Sequence, residues 1–504
     1  MPEIIFDTKC LDSYKMFLKV RSLPTYKIQG RVATFPNEYA HLVDVKPSKN
    51  GKQKEYVPPD WLFDYQQAIT TIAIKKKKFA AFIDCGLGKT LIIFEFMRHA
   101  MEQLRKKNQS FLIICPLMVC KQIIDEYEVF YADEPGYKPL EYIPAKNLQT
   151  WLNGKTSRVA ITNYDSLKPS ITSNCLGGMA CDESSMLKSH YGKWATKILE
   201  LGKGLEYKLC TTGTPAPNDR IEYANHAVFL DHFPTVNSFL ATYFVNRGQT
   251  NERWVLKDHA KEHFYRSLSH WSIFLSNPST YGWEDNDETL PPIYTHFHKV
   301  KLTKEQLDIL GDEYRETGDI KMGGITRRSQ LAQLAKGIYK GERVKTNKVR
   351  RIKRLVNSWP DESTIIWCLY NYEQDMIGEA FPDAGNIYGH TKQDERQRLL
   401  DLFTSGKLKT IITKPKILGF GLNLQVATRH VFSGIQDSYE QFYQAVKRSN
   451  RVGSTQPLNV HIPLTPIEQP MYDTIARKAK MIDEDTRYQE DLFQTNWKER
   501  LNHA

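Results

Sequence analysis

The nine residues "FIDCGLGKT" at 82–90 decide how this chain is read. Gly86 and Gly88 are followed by Lys89 and Thr90, and the apolar run "KFAAFI" delivers the chain to them. A strand that turns through glycines onto a helix start aims backbone N–H groups and a positive dipole end at a phosphate. In that setting the lysine reaches the β and γ phosphates and the threonine hydroxyl ligates Mg²⁺. The usual spacing asks for glycine where Ile83 stands. By itself, then, the stretch also fits a glycine turn followed by a lysine, and the rest of the chain has to choose.

Around it the pattern alternates. "FAAFI", "SFLIIC", "RVAIT", "GMAC" and "YKLCTT" read as buried strands, separated by helices such as "LIIFEFMRHAMEQLRKK" and "VCKQIIDEYEVF". Such alternation predicts a parallel, doubly wound α/β sheet. A second series starts near Lys345: helix "NKVRRIKRLVNSW", strand "STIIWCL", helix "EQDMIGEAF", strand "GNIYG", helix "DERQRLLDLF", strands "LKTIIT" and "RHVFSG", and helix "SYEQFYQAVKRSNRV". The expected organisation is an N-terminal accessory module over 1–55, closed by the basic run "KPSKNGKQK", and a first lobe over 60–285 with a helical insertion. A second lobe over 286–465 and a C-terminal helical extension over 466–504 follow. Residues 220–345 read as irregular helix and loop. "KKKK" at 75–78 ends a helix, where lysines complement the dipole.

Composition narrows the classes. The chain has 504 residues, 41% hydrophobic and 25% charged, as a globular protein with an ample core does. No apolar run approaches the ~20 residues of a membrane span, and "MPEIIFDTKC" lacks the build of a secretory signal. A cytoplasmic protein with no membrane partner is the expectation. The eight cysteines form no C-x-x-C pair and no Cys/His cluster with zinc spacing, which argues against a disulfide framework or a zinc site. A formal net charge of +11 favours a polyanionic partner, most simply nucleic acid.

Three further stretches carry chemistry. "GGMACDESS" (177–185) ends an apolar strand in Asp182–Glu183, the carboxylate pair that a magnesium-dependent NTPase uses to hold metal and water. "TTGTPAPND" (211–219) follows another strand. In "QFYQAVKRSNRVG", Gln444, Arg448 and Arg451 fall on one helical face by their i, i+4, i+7 spacing. Two arginines together suit charge developing on a γ-phosphate, because their forked donors match phosphate oxygens.

In this order the motifs resemble the superfamily-two helicases, and within them the Swi/Snf-type DNA translocases. "LFDYQQ" (62–67) is similar to the adenine-reading glutamine motif, with Gln66 in the reading position, and "DCGLGKT" to motif one. "LIICPLMVCKQ" resembles motif Ia, "VAITNYDSL" motif Ib, "CDESS" motif two and "TTGTPAPN" motif three. "IIWCLYNYEQ", "KPKILGFGLNL" and "QAVKRSNRVG" stand at motifs four, five and six. The likeness spans about residues 60–465 and includes "LPPIYTHFHKVKLTKEQLDIL", the stretch joining the lobes. Ser454 stands where the family usually has glutamine, and no large insertion is visible, which points to a compact bacterial or bacteriophage form.

The resemblance implies two RecA-like lobes with ATP and Mg²⁺ between them. Asp84, Cys85, Gly86, Leu87, Gly88, Lys89 and Thr90 would form the phosphate loop, with Thr90 and Asp182 on the metal and Glu183 on the attacking water. Gln444, Gly421, Arg448 and Arg451 would complete the site from the second lobe. Thr162, Asn163, Lys416 and Asn423 would track DNA, and Gly419 and Gly421 would allow close backbone approach. The implied function is an ATP-dependent translocase or helicase on duplex, forked or branched DNA, largely independent of sequence. It would serve replication, recombination or repair, with proteins of those processes as partners. The competing readings are an RNA-dependent ATPase, the motor subunit of a restriction system, and a non-enzymatic nucleic-acid scaffold.

Overall fold

Residues 1–285 together with 482–504 form one unit, and residues 286–481 form another. The computed structural model describes residues 2–494 apart from 24–25, 36, 47–55, 135–136, 155–157, 190–191, 249–252, 285–289, 313, 315–319, 321–323, 419–423, 436–437 and 452.

The first unit begins with a small layer of its own: β1 (Glu3–Ile5), α1 (Leu11–Arg21), β2 (Lys27–Gln29) and β3 (Val32–Thr34). The three strands pair antiparallel in the order β1-β3-β2 over a core that includes Phe6, Val20, Leu23, Ala33 and Phe35. Tyr39 Oη lies 2.6 Å from His270 Nδ1, which ties this layer to the lobe behind it.

The lobe itself runs α2 (Asp64–Lys76), β4 (Lys78–Ile83), α3 (Lys89–Leu104), β5 (Ser110–Cys115), α4 (Leu117–Tyr131), β6 (Glu141–Tyr142), α5 (Ala145–Leu152), β7 (Val159–Asn163), β8 (Leu176–Asp182), α6 (Lys193–Gly202) and β9 (Tyr207–Thr211). After α7 (Tyr223–Phe229) and α8 (Val236–Tyr243) come the short antiparallel pair β10 (Phe244–Asn246) and β11 (Trp254–Leu256). Then α9 (Lys261–Trp271) leads into β12 (Ser272–Leu275). Seven strands pair parallel in the order β12-β4-β9-β8-β5-β7-β6. Every residue of β5, β8 and β9 is buried, as expected for strands covered on both faces. The "KKKK" run ends α2, turns at Lys77 with φ +63°, and starts β4; Lys77 pairs with Glu206 and Lys78 with Asp231.

The second unit holds β13 (Ile293–Lys299), α10 (Lys304–Leu310), the pair β14 (Ile338–Tyr339) and β15 (Glu342–Arg343), then β16 (Thr364–Trp367), β17 (Gly385–Asn386), β18 (Thr410–Thr413), β19 (Arg429–Phe432) and β20 (Leu458–Leu464). Six of these pair parallel in the order β13-β20-β19-β16-β18-β17. Helices Lys348–Asn357, Asn371–Ala380, Gln393–Thr404 and Tyr439–Val446 fall between them. The fold is thus two parallel-sheet, RecA-like α/β lobes with a small N-terminal layer.

Two departures from the sequence reading, and one division within a helix, have physical reasons. The stretch read as irregular contains β12 and β13, both edge strands. β13 is exposed along most of its length and so shows no buried alternation. The last helix, Gln469–Gln494, is shared along its length: its residues to Met481 belong to the second unit and those from Ile482 to the first. Asp485 explains the return. Buried in the first unit, it accepts from Arg220 Nη2 at 2.6 Å and from Tyr265 Oη at 2.6 Å. Finally, helix Tyr439–Val446 stops before the arginines, as described below.

Candidate active site

Strands β4, β9 and β8 are neighbours, so the loops leaving their C-terminal ends lie side by side, where parallel sheets place ligands. Ile83 is the last residue of β4, fully buried and paired with Leu275 of β12. It is a core strand residue, and the turn begins one position later than the glycine pattern assumes. Asp84 N–H donates to Leu275 O and Cys85 N–H to Asp84 Oδ1. Gly86 (φ +90°) and Gly88 (φ +70°) take the left-handed backbone that lets the chain double back into α3. The first N–H groups of α3 have no carbonyl behind them within the helix.

Lys89 Nζ donates to the carbonyls of Ile83 and Asp84, both at 3.1 Å, so the ammonium is folded under its own loop. Burial works against its charge, but Cys85, Glu183, Asp182 and Asp84 outweigh burial and hold its pKa above that of an ordinary lysine. Thr90 follows in the first turn of α3, half-buried.

Gln66 does more than the sequence indicates. Buried in α2, it accepts the Phe63 N–H through Oε1 and donates through Nε2 to Leu87 O at 3.3 Å. The backbone angle asks for glycine at 88, and a Cβ there would meet Gln66 Nε2 at 2.2 Å and displace the glutamine amide from Leu87 O. The glutamine and the glycine loop are one packed element.

The carboxylates sit at the end of β8. Asp182 is the last strand residue. Glu183 follows with φ +49° and ψ +51°, a left-handed conformation that costs a residue with a Cβ roughly 1–2 kcal/mol. Thr211 Oγ1 donates to Asp182 Oδ1 at 2.8 Å, and Thr212 Oγ1 to Glu183 Oε2 at 3.2 Å. Tyr164 Oη donates to the Asp182 carbonyl at 2.7 Å. A Cβ on Gly213 would stand 3.3 Å from Ile83 O, so the same "TTGT" segment packs on the start of the phosphate loop. Sequence reasoning assigned Thr211, Thr212 and Tyr164 no role; two hydroxyls in a row directly after a strand were the available signal. The hydroxyl and carboxylate oxygens of Thr90 and Asp182 are the hard donors Mg²⁺ takes, so the residues present fit that ion.

The residues named for DNA fare differently. Thr162 is fully buried in β7 and donates its hydroxyl to Ile143 O at 2.7 Å. Asn163 is buried too: Oδ1 accepts the Ser166 N–H and Nδ2 donates to Tyr142 Oη. Both side chains are engaged at the strand end and its turn. Lys416 is exposed, in the short helix Pro415–Leu418. Gly419, Gly421 and Asn423 lie outside the described residues.

In the second lobe, Gln444 lies in the helix, but Arg448 and Arg451 do not. The helix ends at Val446, and Ser449 and Asn450 both donate N–H to Val446 O in the turn that follows. Ser449, Asn450 and Gly453 are weak helix formers, so the shared helical face is corrected to a turn. Gln444 is buried and, among the described residues, neither of its amide atoms has a hydrogen-bond partner. Ser454, the departure from the family pattern, closes the arginine turn: Oγ accepts the Arg451 N–H at 3.1 Å and donates to Ser449 O at 2.7 Å.

The SNF2-related domain family matches residues 81–357, and the helicase conserved C-terminal domain family matches residues 347–453. No curated protein matches the chain in sequence. Among solved structures, the Sulfolobus solfataricus SWI2/SNF2 ATPase core in complex with dsDNA is similar at 19% identity with a TM-score of 0.39, over 88% of this chain and 98% of that one. With the first domain match covering more than half of its length, the chain belongs to the SNF2-related, superfamily-two helicases and is a DNA-dependent ATPase.

Proposed function

We propose that this protein is an ATP-driven translocase that grips the phosphate backbone of duplex, forked or branched DNA with little regard to sequence. The observation that supports the reading is the gathering of Lys89, Asp182, Glu183 and the Thr211–Thr212 hydroxyls at the C-terminal ends of three adjacent strands. Lys89 exchanges the carbonyls of Ile83 and Asp84 for the β and γ phosphates of ATP. Thr90 and Asp182 would hold Mg²⁺, which when bound would draw charge from those phosphates. Glu183 orients water toward the γ-phosphorus and takes its proton as the bond to ADP breaks. Thr212 holds the Glu183 carboxylate while this happens. Gln66 reads adenine and passes its position to the loop through Leu87. Arg448 and Arg451, with Gln444 and Gly421, supply the second lobe's share, and Arg451 acts on charge that develops late. Lys416 and Asn423 follow the backbone of one strand.

The setting we infer is a compact bacterial or bacteriophage motor in replication, recombination or repair, working in the cytoplasm. Steady-state ATPase measured at fixed salt with equal-length duplexes, forks, single strands and RNAs tests the reading. Stimulation by any DNA of sufficient length, with duplex or structured DNA above RNA, is expected. Stimulation by RNA alone would replace DNA by RNA as the track, and stimulation by one DNA sequence alone would point to a restriction-type motor.

A further inference from the structure

Helix Lys348–Asn357 reads "KVRRIKRLVN", five cationic residues in ten, with no acidic residue in its first turn. Cations there oppose the helix dipole, and like charges three and four apart repel, so this composition disfavours the helix that carries it. The fold holds the helix in place from outside. Lys348 is turned inward to Ser433 O and Glu468, and Ile352, Leu355 and Val356 are buried. At the other end the buried Arg429 guanidinium donates to the carbonyls of Leu355, Val356 and Trp359. Val356 O and Trp359 O also accept the N–H groups of Trp359 and Glu362, so the guanidinium is a further partner at the frayed helix end.

What remains outside is Arg350, Lys353 and Arg354, all exposed and on one face by their i, i+3, i+4 spacing. Among the described residues none of the three is ion-paired with a carboxylate. Two other exposed arginines of the same lobe are paired, Arg398 with Glu395 at 2.7 Å and Arg343 with Glu379 at 2.8 Å. Trp359, 48% exposed, flanks the row just beyond the helix end. Arg350 donates to Asn347 Oδ1 at 3.2 Å, a neutral partner, so the row keeps its charge, and a row of cations that the helix itself does not favour calls for an external anion with repeated charges.

We propose that this face is a DNA-contacting surface additional to the strand-end loops, holding the phosphate backbone of duplex that extends along the flank of the second lobe. It rests on the reading of the chain as a DNA motor. Contacts of this kind are ionic and release counterions, so each adds about 0.9 to the slope of log affinity against log salt. The test is anisotropy of a duplex of about 40 base pairs across a salt series, for wild type, for R350Q/K353Q/R354Q and for the charge-preserving R350K/R354K. The triple variant is expected to bind more weakly at low salt with a slope shallower by up to about 2.7, while R350K/R354K keeps both. DNA-free ATPase and the unfolding temperature should match wild type in both variants. A triple variant that binds DNA with the wild-type slope overturns the proposal and leaves the motor reading standing; a wild type that binds no DNA overturns both. A slope change on duplex RNA with none on DNA overturns the assignment of the partner.

Discussion

In the first lobe Lys89 lies within electrostatic reach of Asp182 and Glu183, yet its ammonium donates to the loop carbonyls of Ile83 and Asp84. In the second lobe Lys348 and Lys336 donate straight to Glu468 Oε1, at 2.7 and 3.3 Å, with all three side chains buried. Burial works against the charge on Glu468, and Lys348 and Lys336 overcome it, so its carboxyl sits below the usual range. The second cluster is closed: one carboxylate is shared by two ammonium groups and fixes Lys348 under the basic helix. The first is open, because its lysine and carboxylates are kept in place by neutral partners that a phosphate and a metal can displace. Adjacent acids and lysines therefore mean different things according to what satisfies them.

The comparison can be broken most sharply at Glu468. Glu468→Ala leaves two buried ammonium groups unpaired, and loss of one partner of a buried pair costs about 3–5 kcal/mol. Denaturant unfolding should show the second-lobe transition moved by that amount, whereas Lys89→Ala should abolish ATP binding and leave the unfolding midpoint nearly in place. An unmoved midpoint in Glu468→Ala would refute the closed cluster. Next comes Glu183→Gln, expected to keep ATP affinity and lose about 10²–10⁴-fold in hydrolysis, the range for a general base; wild-type turnover would remove Glu183 from the chemistry. Thr212→Val deletes only the hydroxyl that holds Glu183. A hydrogen bond to a charged group is worth about 1.5–3 kcal/mol, so turnover should fall ten-fold or somewhat more with KM unchanged. Thr212→Ser should restore it, and failure of that rescue would assign the threonine to packing.

The smallest effect is on pH. Burial pushes His430 down to about 3 and His461 to about 4 in the second lobe, and His226 to about 4 in the first. In the unfolded chain these rings take up a proton near pH 6.5, while folded they stay neutral, so stability falls as pH drops from about 6.5 toward those values. Glu468 adds to the loss only below about 4.5, where its unfolded carboxyl begins to bind protons. His430→Gln should flatten the second-lobe decline between pH 6 and 4 by at most about 1.4 kcal/mol per unit. An unchanged slope would mean His430 is not held neutral.

Sequence carried the alternation of strands and helices in both lobes because it rests on local pattern: buried runs such as "SFLIIC" announce themselves. It failed where position depends on partners. Ile83 looked like a flaw in a loop pattern because nothing local says that β4 still runs beside Leu275. The bond from Thr162 to Ile143 was invisible because its acceptor is nineteen residues away. Gln66 looked like a base reader alone because its contact with Gly88 exists only in three dimensions. The arginine turn is the exception: Ser449, Asn450 and Gly453 were in plain view as poor helix formers, and spacing was given more weight than propensity.

The division of the chain has a consequence for how the protein is made. The second unit, about two hundred residues, is inserted within the first, whose closing segment begins only at Ile482. Until that segment leaves the ribosome, Arg220 and Tyr265 lack Asp485, Ser276 lacks Glu490, and Tyr281 lacks Phe493. The ATPase lobe is therefore synthesised first and completed last, and a nascent chain carries an intact phosphate loop well before the lobe around it is sealed.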